Sequence, residues 1–388
     1  MELVPVSGVG SLMKTITPPE DRPMPMSRTS VRRGFSALDL LAATAAIGIA
    51  AAALQPVLKA NRTSSMSTTN ASQHRLLASQ QAIFIAANDG KFTGPTTTGW
   101  PGMNGLPIDG DRFVGDTTAS TPVQQQDWIT PLVGDMFNFS PNRALRTQQL
   151  LETIRDPRQG RMNDLLFAPG GVADVADFEN ILFAGEGFRA TSYLSPAAFQ
   201  FWGTPKPGSF MPGEPPVVGD TQIWQKKYGG VPHNWSAILA GTIKTPRGYL
   251  PRIDQVGTSL ANKVQFADGT RYVDLGNLLD INVDPAPTIF GNHTSGFFPW
   301  EGETSYGRVA RGAPDNILLS ARRQGLGTAS LDSRVMYVTF FDGSTRPVSL
   351  TTAKSRPDWW APTGSEWVST GGIAPELDGL VQPGDLLP

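Results

Sequence analysis

From Phe35 to Leu54 the chain runs for twenty residues with a single charged side chain, Asp39. No other stretch restricts the fold as strongly. A helix of that length rises about 1.5 Å per residue and spans roughly 30 Å, the hydrocarbon thickness of a bilayer. Arg32 and Arg33 stand immediately before it, where the positive-inside rule places a cytoplasmic flank. A lone carboxylate near the start of such a helix costs free energy and calls for a partner. Residues 1–34 are proline-rich and hold no sustained apolar run. A conventional secretory signal, whose apolar core is removed by cleavage, does not fit them. A leader cut ahead of the tract and an ordinary cytoplasmic tail both remain open.

The run Arg32-Arg33-Gly34-Phe35-Ser36-Ala37-Leu38-Asp39 resembles the class III signal of type IV pilins and type II secretion pseudopilins. That family carries a basic leader ending in Gly, then Phe, a few small or apolar residues, an acidic residue fifth from the Phe, and an apolar helix. Gly34, Phe35 and Asp39 fall on those positions. Gly48 and Pro56 fall where many pilins have a helix glycine and a kinking proline. Two residues depart from the pattern: Asp39 replaces the usual Glu and is one methylene shorter, and Ala37 is smaller than the usual Leu.

The resemblance implies a set of roles. A separate prepilin peptidase cuts between Gly34 and Phe35 and methylates the freed Phe35 amine. Asp39 pairs with the Phe35 amine of a neighbouring subunit, since an ammonium in apolar surroundings is costly unless paired. Simple snorkelling of Asp39 to the headgroups is the other reading. Pro56 lacks a backbone donor and kinks the helix. The implied partners are the prepilin peptidase, other pilin or pseudopilin subunits, the assembly platform and the inner membrane, with a periplasmic C-terminal head. The domains are then a leader over 1–34, a helical segment over 35–90 with 35–57 transmembrane, and a β-rich head over 91–388.

Composition supports such a head. The 41 Gly and 33 Pro call for many turns and long loops and argue against a mostly helical body. A net charge of −2 over 388 residues implies no basic surface, so a nucleic-acid partner is not expected. The absence of Cys excludes a disulfide scaffold, a zinc–thiolate site and a thiol nucleophile. His74, His233 and His293 are far apart and form no short metal motif.

Along the chain, residues 61–70 are polar with weak helix propensity and read as a flexible or melted segment. Residues 71–88 regain a helical period, with Leu76, Leu77, Ile83, Phe84 and Ala87 as the apolar stripe and Asn88-Asp89-Gly90 as the stop. This exit resembles the end of the long first helix of pseudopilins, which implies that the stripe packs on the head's sheet. Residues 91–130 read as irregular, and 141–155 as a short surface helix with Pro141 near its start. Short apolar runs fill 178–204, a Pro/Gly loop covers 205–219, and strands dominate from about Trp235 onward.

Two segments there look alike. Val264 to Val273 and Val338 to Val348 each read as strand, Asp-Gly, strand, with the dipeptides at Asp268-Gly269 and Asp342-Gly343. Asp-Gly favours the primed turns that match hairpin twist. The second segment resembles the C-terminal hairpin of large planctomycete pseudopilin-like proteins of the DUF1559 type, which join a prepilin signal to a head of a few hundred residues.

Little else carries chemistry. Asp280, Asn282 and Asp284 alternate as the first ligands of a calcium loop do, but the glycine and closing Glu of an EF-hand are missing. Calcium is thus the only cofactor under consideration, against plain turn carboxylates. Neither G-x-S-x-G nor a Walker A motif occurs. Gly325-Leu326-Gly327 reads as a turn, and Phe297-Phe298-Pro299-Trp300 and Trp359-Trp360 as core or loop anchors or a glycan surface. The expected fold class is α+β: a long N-terminal transmembrane and amphipathic helix packed on an antiparallel β-sheet head with long loop insertions. The expected function is a pseudopilin-like structural subunit without catalytic residues. The alternative is a membrane-tethered carbohydrate-binding protein that forms no filament.

Overall fold

The computed structural model describes residues 64–99, 118–161, 165–167, 172–200, 243–270, 273–274, 279–285, 293–295, 325–326, 335–367 and 379–388. All belong to one compact unit, Ala60–Pro388. The leader 1–34, the tract 35–57 with Phe35, Asp39, Gly48 and Pro56, the loop 205–219 and the aromatic run 297–300 lie outside the described residues.

Helix α1 occupies residues 64–87. It enters the segment expected to be melted, and its side chains explain how. The Thr68, Thr69 and Ser72 hydroxyls donate to the carbonyls of Ser64, Ser65 and Thr68, one turn back. Such bonds alone do not favour helix. Docking of Asn70 and His74, both buried, supplies the tertiary support that propensity lacks. The stop is as expected: Asp89 and Gly90 take positive φ, 52° and 79°, and turn the chain out of the helix.

The main sheet runs in the order β10-β9-β4-β2-β7, with strands Thr345–Ser349, Val335–Phe340, Val264–Thr270, Tyr193–Pro196 and Thr294–Ser295. Pairing is antiparallel from β10 to β2 and parallel between β2 and β7. Strand β8, Gly325–Leu326, pairs with the end of β4, so the expected turn at Gly325 is a strand edge. A second sheet joins β1, Leu165–Phe167, in parallel to β6, Leu279–Asn282, and β6 antiparallel to β5, Val273–Asp274. A third pairs β3, Ile243–Lys244, with β11, Glu366–Trp367. Helix α2, Arg143–Thr153, is capped by the Asn142 side chain, and helix α3 spans Val175–Phe183.

Side-chain alternation places two cores on opposite faces of the main sheet. Met336, Val338 and Phe340 of β9 and Ala267 of β4 face a core that holds Trp359, Trp360 and Trp367. Phe266 and Tyr193 face the other, with Leu77 of α1, Trp128, Val133 and Leu150. The Trp359-Trp360 pair is therefore core, and the Trp360 indole donates to the Ala353 carbonyl at 2.9 Å.

The expected fold class needs correction. No helix among the described residues is long and apolar enough to cross a membrane. The helix that packs on the sheet is α1, whose first half is Ser, Thr, Asn and Gln rather than apolar. The sheets also carry parallel pairs, β2 with β7 and β1 with β6. The inward face of α1 matches the expected stripe only in part, with Leu77 buried and Leu76 and Phe84 packed against the same core. It is Asn70, His74, Leu77, Ala78 and Gln81, while Ile83 is 62 % exposed. The polar members of that face conceal it from a search for apolar period. Helix α2 is likewise no surface helix, since Arg143, Ala144, Arg146, Leu150 and Leu151 are buried.

This orientation fixes an expected contrast. Leu77→Ala removes a fully buried side chain and lowers stability by about 2–5 kcal/mol. Ile83→Ala, on the exposed side, changes it by no more than about 0.5 kcal/mol. Urea unfolding of the two variants measures both.

Candidate functional site

The two Asp-Gly dipeptides have opposite fates. Asp342-Gly343 makes the expected hairpin: Gly343 sits at φ 83°, its amide donates to the Phe340 carbonyl, and Phe340 donates to Ser344. Asp268-Gly269 makes no turn. It continues strand β4, which is buried along its whole length. Here the ladder on both sides outweighs local turn preference, with Tyr193 opposite Asp268, Val338 opposite Ala267, and the Gly269 amide donating to Ser192.

Asp268 thus points a carboxylate into the space between sheet and helix, at 1 % exposure. Four groups surround it. Asn70 Nδ2 donates to both carboxylate oxygens, at 2.9 and 3.0 Å. His74 Nε2 lies 2.8 Å from Oδ1. The Tyr337 amide of β9 donates to Oδ2 at 2.8 Å. Arg158, itself bonded to Asp156, stands 3.9 Å from Oδ2. A buried charge without such partners costs several kcal/mol, so all three elements are tied to this one side chain.

The imidazole continues the network. Facing a carboxylate, Nε2 carries a hydrogen, and Nδ1 on the other side of the ring lies 2.8 Å from Thr339 Oγ1. Thr339 Oγ1 is 3.0 Å from Thr345 Oγ1 of the next strand. The ring stacks on Phe266 and meets Tyr193 edge-on, with centroids 5.1 and 5.0 Å away. The Tyr193 hydroxyl donates to Asn70 Oδ1 at 2.7 Å. Burial, then the Asp268 and Asp156 carboxylates, push that phenol well above its ordinary range and keep it a donor.

Thr339, His74 and Asp268 form a hydroxyl–imidazole–carboxylate series of the kind that activates nucleophiles. Burial decides against that use. Thr339 and His74 have no exposed surface, and the hydroxyl meets protein side chains on both sides. The arrangement fastens a helix to a sheet. Sequence reasoning did not find it. The only signal was a pair of inward-period polar residues, Asn70 and His74, one turn apart.

Two more buried polar clusters flank the hub. Arg143 of α2 grips Asp174, just ahead of α3, through two bonds at 2.6 and 2.7 Å, and its guanidinium lies 4.7 Å from the Phe178 ring centroid. Asp127 accepts from the amides of Val123, Ile129 and Thr130. His293 Nδ1 lies 3.9 Å from Asp127 Oδ1. Burial holds the His293 ring below its usual pKa, and the Asp127 charge opposes that only in part.

The structure describes only some of the residues singled out from the sequence. Gly34, Phe35, Asp39 and Pro56 lie outside the described residues, as does His233. Asp280 and Asn282 lie on β6, and the Asn282 side chain accepts from the Asp284 amide at 3.0 Å, a local turn contact. Among the described residues no group of three or more His, Asp or Glu side chains is placed to hold a metal. Comparison with protein-family models, with curated proteins and with solved structures finds no match.

Two outcomes follow from these geometries. Asp268→Asn, which removes a buried charge from four partners, lowers stability by about 3–5 kcal/mol. Asp342→Asn, in the exposed hairpin turn, changes it by less than about 1 kcal/mol. Chemical denaturation separates the two. For His293, the unfolded state takes up a proton near its usual value of about 6.5, while the folded state resists until lower pH. Its contribution is complete above that value and is lost as pH falls below it. A stability–pH profile shows this decline, and His293→Gln flattens it.

Proposed function

We propose that this chain is a pseudopilin-like structural subunit, cut after Gly34 by a separate prepilin peptidase and methylated at the Phe35 amine. It then assembles with other pilin or pseudopilin subunits and their platform, at the inner membrane, into a type II secretion pseudopilus or a pilus-like filament. The observation that carries this reading is the register of Gly34, Phe35 and Asp39 ahead of the apolar tract. Asp39 then pairs with the Phe35 amine of the neighbouring subunit, as charge in apolar surroundings requires.

The folded part supports the reading in a specific way. A subunit that extends and pushes must pass force from an N-terminal helix into its head without slippage. Helix α1 meets the sheet through directional hydrogen bonds to one buried carboxylate. A greasy stripe would tolerate sliding by a turn, whereas a buried charge with fixed partners would not. The hydroxyl–imidazole–carboxylate series is closed to substrate, which favours a mechanical over a catalytic role. The carbohydrate-binding alternative loses one of its aromatic platforms, because Trp359 and Trp360 are internal.

Mass spectrometry of the mature protein from its own host tests the proposal. The expected chain begins at a methylated Phe35. Asp39→Ala is expected to abolish filament assembly while leaving the head's urea midpoint unchanged. An intact leader, or a cut elsewhere, rules out the pilin-like reading.

A further inference from the structure

We propose that Thr345, Thr339 and His74 form a proton path from the sheet edge to the buried Asp268 carboxylate, so that the imidazole gains or loses a proton while α1 stays docked. The contacts are continuous: 3.0 Å from Thr345 to Thr339, 2.8 Å from Thr339 to His74, and 2.8 Å from His74 to Asp268. Thr345 is half-buried on edge strand β10, whereas Thr339 and His74 are fully enclosed. Both links of the hydroxyl pair are reversible, because a threonine hydroxyl donates one hydrogen and accepts another.

The transfer balances along the chain. A hydronium ion at the surface gives its proton to Thr345 Oγ1 and leaves as water, while that hydroxyl's own proton passes to Thr339 Oγ1. The Thr339 proton passes in turn to His74 Nδ1. Imidazole becomes imidazolium, and its positive charge faces the Asp268 carboxylate. Reversal of the steps, or rotation of the two hydroxyls, restores the starting arrangement. The charged and titratable groups around the ring are Asp268 on β4, Tyr193 on β2, Tyr337 on β9, and Arg158 with Asp156 in the segment after α2. Asp268 compensates an imidazolium, and Asn70 and the Tyr337 amide hold the carboxylate in place throughout. Without such a path, a fully buried histidine changes protonation only when the structure opens.

The test is solvent exchange of the Thr339 hydroxyl proton, followed by NMR in the full chain with labelled threonine and histidine. Thr345→Val removes the outer hydroxyl at nearly constant shape, and Thr345→Ser keeps it. Exchange is expected to slow at least tenfold in Thr345→Val and to stay at the unmodified rate in Thr345→Ser, with Tyr337 amide exchange the same in all three. An unchanged rate in Thr345→Val overturns the path. Equal slowing in both variants assigns the effect to packing and overturns it too. Faster exchange of the Tyr337 amide in step with the hydroxyl shows that opening of α1, not relay, admits the proton.

Discussion

A single carboxylate under a helix governs this fold. Asp268 leaves water from the middle of β4 and is held by a strand amide, an asparagine and a histidine from two further elements. Desolvation of an ionised carboxylate is unfavourable by several kcal/mol, and only well-aimed donors offset it. The donors come from α1 and β9, so neither element can shift without exposing the charge to an apolar interior. Hydrophobic contact supplies most of the attraction here, as in any core. Direction and register come from the polar contacts.

That division of labour shapes the rest of the described structure. The sheet has one face filled by apolar side chains and tryptophans, and the other shared between Leu77, Trp128 and the hub. Arg143 with Asp174 ties α2 to the start of α3 by the same means, a buried charge held by hydrogen bonds. Asp127 organises the turn before Thr130 through three backbone amides. With no cysteine in the chain, cross-links play no part, and these polar pins fix relative placement instead.

The sequence makes some of this legible. The end of α1 at Asn88-Asp89-Gly90 follows from turn chemistry, as does the hairpin at Asp342-Gly343. Local rules failed where tertiary partners overrode them. Asp268-Gly269 carries the same turn signal as Asp342-Gly343, yet strands on both sides hold it extended. The weak helix formers at 64–70 are helical because Asn70 reaches Asp268. Apolar periodicity put Ile83 on the buried face of α1, where Asn70, His74 and Gln81 belong. A polar residue inside a core is recognisable only with its partners, and Asp268 lies 198 residues from Asn70 and 194 from His74.

A double-mutant cycle between His74 and Asp268 is the decisive measurement. Stabilities of His74→Leu, Asp268→Asn and the double variant give the coupling between helix and sheet at the hub. A coupling of about 1–3 kcal/mol, with the double variant less damaged than the sum of the singles, is the expected result. Additivity within about 0.5 kcal/mol would mean that the two side chains do not act together, and that the imidazole does not couple α1 to the sheet.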